Sequence, residues 1–140
     1  MKHLKKFNES LQPVEVDELK DFCENCLAYL LDDGYQVSVS MRDKVKYPEK
    51  QHTIVSLGLK GNMGYRLFDW NDIKDYYIPF LQMLVRRYEL VSYFTDNDYV
   101  CFNTEMGFRY LSLDQVINDR VGLEIGSRLW GINIKIVDKI

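Results

Sequence analysis

Apolar side chains recur with helical rhythm twice along the chain, and each time the helix runs into a segment that alternates with a period of two. From Leu19 the apolar positions are Phe22, Cys23, Cys26, Leu27, Leu30 and Leu31, one continuous stripe. This predicts a helix over residues 17–33, with Asp17 as N-cap and Gly34 as the left-handed stop. Tyr35, Val37, Val39 and Met41 then alternate with Gln36, Ser38, Ser40 and Arg42, as in a strand with one covered and one wet face. The segment DKVKYPEKQ reads as a charged loop. His52 to Lys60 is the next strand, with Val55, Leu57 and Leu59 inward, then a GNMG turn and a short third strand at Tyr65 to Phe68.

The second helix is expected from about Asp69–Asp72 to Tyr88, with Ile73, Tyr76, Tyr77, Phe80, Leu81, Leu84, Val85 and Tyr88 on its stripe. Pro79 inside this pattern predicts a kinked but continuous helix. Residues 90–95 and 99–103, either side of Asp96-Asn97-Asp98, read as a hairpin. Ser112 and Gln115 form a capping box that opens a short helix to about Asp119. The last strand sets Trp130, Ile132, Ile134 and Ile136 on one face, and Gly126 and Gly131 permit a bend or bulge at its start. The expected fold is α+β, a two-layer sandwich with helices on one face of an antiparallel or mixed sheet. Residues 1–13 form a basic leader and residues 14–140 a single domain. Residues 19–40 and 73–94 share Lys20/Lys74, Asp21/Asp75, Leu27/Leu81, Leu30/Leu84, Val37/Val91 and Ser38/Ser92, which suggests a pseudo-twofold α-β-β repeat.

Charge changes the picture locally. The formal net charge is −3, but Lys2, Lys5 and Lys6 crowd the leader while residues 15–33 are acidic. An acidic first helix repels phosphate and argues mildly against nucleic acid. Arg42, Lys44, Lys46 and Lys50, with Tyr47 among them, form the basic patch expected to meet a protein partner or a nucleic acid. The Arg86-Arg87 pair suits the end of a helix dipole.

Candidate chemistry is thin. Cys23 and Cys26 lie on the apolar stripe, Cys101 is distant, and His3 and His52 are scattered, so neither a zinc site nor a redox pair is expected. Gly58, Gly61 and Gly64 join strand to strand and lack the helix that a phosphate loop requires. Asp96-Asn97-Asp98 and Asp32-Asp33-Gly34 are turn and helix-end chemistry. No catalytic, cofactor-binding or metal-binding residue is expected, and no cofactor. MKHLKKFNESLQPVE has no apolar signal core, and no run approaches the ~18 residues of a membrane helix. The expectation is a cytoplasmic protein with reduced thiols and no membrane partner.

The segment MKHLKKFNES, followed by LKDFCENCLAYLLDDGY and DIKDYYIPFLQML, resembles small uncharacterised proteins of tailed bacteriophages. That resemblance implies a phage-encoded accessory protein in a bacterial host, or a minor virion component, and transfers no functional residue. The expected function is a non-enzymatic protein-interaction module that binds a host or defence protein. The alternative is a nucleic-acid binder that uses the wet face of the sheet and the 42–50 loop.

Overall fold

The structure, a computed structural model, describes residues 16–42, 52–91 and 99–138. The first apolar stripe folds as α1 (Val16–Cys26) and α2 (Ala28–Asp32). They are nearly one helix. Leu27 leaves helical geometry at φ −109° and ψ 23°, yet its N–H still donates to the Cys23 carbonyl at 3.0 Å, and its own carbonyl accepts from Leu31. Asp17 is inside the first turn rather than at the cap, because the helix already includes Val16; there its charge complements the helix dipole. Gly34 ends α2 at φ +96°.

The strands are β1 (Tyr35–Arg42), β2 (His52–Gly61), β3 (Gly64–Arg66), β4 (Phe68–Asp69), β5 (Tyr88–Val91), β6 (Tyr99–Thr104), β7 (Gly107–Ser112) and β8 (Arg128–Asp138). Every pairing among them is antiparallel, in the order β1-β2-β8-β6-β7. β8 holds the sheet together. One of its edges pairs with β2 over residues 132–136 and with β4 at 128–129; the other pairs with β6 over 129–133 and with β5 over 135–138. The expected third strand divides at Leu67, where the chain leaves β2 and joins β8.

The main long helix, α3 (Trp70–Arg87), is continuous through Pro79. Pro79 is exposed, so water can reach the carbonyl it leaves without a donor. Asp69 caps the helix by accepting from the Asn71 N–H at 2.8 Å. Trp70, absent from the expected stripe, is fully buried with its ring edge-on to Tyr77 and Phe102. At the far end the Arg87 guanidinium sits 5.0 Å over the Phe22 ring and ties α3 to α1.

Several expectations are corrected. Residues 96–98 lie outside the described residues, but the strands flanking them are not a hairpin. β5 and β6 both run antiparallel to β8 along the same edge, so they are parallel to each other. β6 instead turns back on β7, a strand whose single buried residue, Leu111, left little alternation to read. The capping box of Ser112 and Gln115 opens α4 (Leu113–Ile117) as expected, but a further helix, α5 (Val121–Ile125), follows Asp119. Helix-then-strands occurs twice in chain order, with four strands the first time and three the second, yet β1 pairs with β2 whereas β5 does not pair with β6. The repeat is one of element order, not of pairing.

The expected inner face of β8 is also corrected at one position. A bulge opposite Asn103 and Thr104 places Leu129, not Trp130, in the core beside Ile132, Ile134 and Ile136. Each of the five described helices buries apolar residues against this face, which gives the two-layer α+β sandwich.

Two outcomes follow. Ile134→Ala should cost about 2–5 kcal/mol in urea unfolding, while Trp130→Ala should cost well under that; a reversed order would place the bulge elsewhere. Second, Asp119 accepts from the Trp70 indole and the Lys74 ammonium, both at 2.9 Å, and those bonds hold its carboxyl below its usual value. Such a group stabilises the fold above its unfolded pKa, and the contribution is lost as pH falls through the folded value. The stability gap between wild type and Asp119→Asn should therefore narrow on acidification from about pH 5 to about pH 3. A constant gap in acid-titrated melting curves would refute the linkage.

Candidate nucleic-acid interface

The face of the sheet away from the helices is built by the even positions of β1 and β2 and the odd positions of β6 and of β8 beyond its bulge. One row crosses five strands: Ser38 is opposite Ser56, Ser56 opposite Asn133, Asn133 opposite Cys101, and Cys101 opposite Tyr110. The Ser56 hydroxyl donates to Asn133 Oδ1, and Cys101 hydrogen-bonds Tyr110. Burial pushes the Cys101 thiol up, and this bond partly offsets the shift.

The next rows toward the hairpin ends are more open. β2–β3 turns at Asn62-Met63 and β6–β7 at Glu105-Met106, each turn closed by a glycine at positive φ. Thr104 braces the second turn by donating to the Gly107 carbonyl at 2.8 Å and accepting from the Met106 N–H. Tyr65 of β3 leans across β2, where a Cβ on Gly58 would come within 2.8 Å of its ring; the glycine is what lets the ring lie flat. Gly131 of β8 is equally constrained, since a Cβ there would stand 3.1 Å from the Leu57 carbonyl. Trp130, thrown outward by the bulge, and Phe108 of β7 complete the set. Tyr65, Trp130 and Phe108 are 59%, 38% and 56% exposed.

Charge on this face is segregated. No outward position on β1, β2, β3, β6, β7 or β8 whose side chain is described carries an acid, and Lys60 and Lys135 are both there. Glu89 of β5 is an outward acid at the far end, opposite Val137, and Asp69 of β4 follows the inward Phe68 opposite Arg128. Arg128 flanks the hairpin end and is shared with Glu105 at 3.5 Å. Ile54, Lys135 and Val137 are buried, so the face is open over its hairpin half only.

Two shallow hollows, about 310 and 370 Å³, meet at Tyr35. The first gathers Arg66, Arg128, Asp69 and Asp72, but the Asp69 carboxylate is engaged in capping α3. Among the described residues no three His, Cys, Asp or Glu side chains group to hold a metal ion. No described helix is long and apolar enough to cross a membrane.

Of the basic patch expected from sequence, Arg42 ends β1 opposite His52, while Lys44, Lys46, Tyr47 and Lys50 lie outside the described residues, as does the leader. Sequence reasoning missed the aromatic set. Period-two alternation sets Trp130 with the isoleucines, Tyr65 is the one ring of a three-residue strand, and Phe108 lies on a six-residue strand with a single buried position. The available signal was Met-Gly at two hairpin tips with Gly131 directly after Trp130. Comparison with known protein families, curated proteins and solved structures gave no match.

The cysteine pair behaves as core. Cys23 is fully buried, and burial, with Cys26 and Glu24 adding to it, pushes its thiol up to about 12. Burial raises Cys26 as well, against a lowering by Arg87. Raised thiols are protonated and unreactive near neutrality. Native protein at pH 8 should label at Cys23 far more slowly than urea-unfolded protein when followed by thiol-exchange absorbance. Labelling of Cys23 at the unfolded rate would contradict its place in the core.

Proposed function

We propose that this protein is a non-enzymatic binding module that receives single-stranded nucleic acid on the open half of its sheet. The observation that supports this most is a face bearing three exposed rings and few acids, with Glu89 at its far end and Glu105 paired to Arg128, in a chain of formal net charge −3. Single strands are bound without strict sequence choice by aromatic platforms on which bases stack, with cations following the backbone. In this reading Tyr65, Trp130 and Phe108 are the stacking surface, the Ser38-to-Tyr110 row supplies hydrogen-bonding groups beside it, and Lys60 meets phosphate, with Arg128, shared with Glu105, at the margin.

A second reading, docking of a protein partner, is favoured by Met63 and Met106. Both are largely exposed at hairpin tips that project from the same end of the sheet. Methionine suits adaptable protein-binding surfaces.

The chain has two tryptophans, and Trp70 is fully buried, so binding on this face should be reported by Trp130. Titration with oligo(dT) or oligo(U) at low salt should quench tryptophan fluorescence. Trp130→Ala should weaken anisotropy-detected binding by about 1–3 kcal/mol, a factor of roughly 5 to 150. Engagement of about two or three phosphates gives a log–log salt slope near −1.4 to −2.1. Absence of quenching and of any anisotropy change at low salt would overturn the nucleic-acid reading and leave the protein-partner one.

A further inference from the structure

β1 is an edge of the sheet: among the described residues it pairs with β2 alone. Its eight residues lie in unbroken register, without a bulge, and include no proline, no glycine and no charge before Arg42. Exposed edges are normally blunted by shortness, charge, proline or a bulge. The other edge, β7, shows such blunting. It has six residues, starts on Gly107 at φ +99° and carries Arg109 at its middle. β1 has none of these devices over residues 35–41.

We propose that two copies of this chain pair through β1, antiparallel about a twofold axis, making one continuous sheet. The occupant is a second copy because β1 is its own complement. A twofold antiparallel pairing sets residues of the same face opposite one another. Val37 and Val39 then meet their counterparts on the helix side, while Gln36, Ser38 and Ser40, all exposed, meet amide or hydroxyl across the outer face. No like charge is brought together over residues 35–40, and hydroxyl pairs across strands are favourable. An interface built mainly on one strand is small, so the dimer forms as a concentration-dependent equilibrium. This inference is independent of what binds the outer face.

Light-scattering mass over a dilution series without nucleic acid, with amide exchange on the same samples, is the test. The mass should rise from 16.6 kDa toward twice that value with concentration, and β1 amides should exchange more slowly in the concentrated sample. The double variant Ser38→Glu/Ser40→Glu places carboxylates on exposed positions near the axis. It should keep the melting temperature of dilute wild type and remain at 16.6 kDa throughout. A wild type that stays at 16.6 kDa near its solubility limit, or a double variant that still dimerises, overturns the proposal. If the double variant fails to fold, the wild-type amide exchange decides: protection of β1 that does not change on dilution overturns it too.

Discussion

Both faces of the molecule depend on how β8 is paired. Its two edges are occupied along nearly their whole length, by β2 and β4 on one side and by β6 and β5 on the other. The inward residues Ile132, Ile134 and Ile136 have no exposed surface, since they lie at the centre of the sheet under the helices. None of its partners is its neighbour in sequence, so the sheet is closed by contacts of long sequence separation. Loop-closure entropy must be overcome before those contacts stabilise anything, which makes folding slow for the size of the chain. The two helix-then-strands segments are joined by this strand rather than by direct pairing between their sheets.

The bulge in β8 couples core to surface. One extra residue opposite Asn103 and Thr104 turns Leu129 inward and leaves Trp130 outward. With regular pairing, side chains alternate strictly and a one-residue slip reverses every one of them. The bulge limits that reversal to the first residues of the strand. The isoleucines keep their face, and the indole is released to the open side. Gly131 suits the close approach of the Leu57 carbonyl, which a Cβ there would meet at 3.1 Å. A wall of the candidate site is thus a by-product of fitting the strand to its neighbour.

Much of the fold was legible. The helix stripe ending at Gly34, the alternation of β1 and the inward set of β2 are local patterns, and each is present as the residues dictate. Pairing partners were not legible, because antiparallel neighbours are chosen by packing rather than by proximity in sequence. Asp96-Asn97-Asp98 carries strong hairpin chemistry, yet β5 and β6 share an edge of β8. The candidate site was the least legible part. Its rings come from three strands, and Trp130 reads as core until the register is known. Trp70 shows the converse: it precedes the stripe read from Ile73 onward, yet its indole N–H reaches Asp119 and its ring packs edge-on to Tyr77 and Phe102.

Net charge alone gives the wrong sign for the outer face. Asp17, Glu18, Asp21, Asp32, Asp33, Asp72 and Asp75 of the helix layer are exposed, and they lie on or beside elements that pack against the opposite side of the sheet. A polyanion approaching that side is repelled, while one approaching the strands meets Lys60 and aromatic rings, and the acid at the hairpin ends, Glu105, is paired with Arg128. With a Debye length of about 8 Å at physiological salt, charges across a two-layer sandwich are largely screened from each other. The local field over each face then follows from its own residues. Under the proposed binding, this segregation of charge is what would direct a polyanion to the strand face rather than to the helix layer.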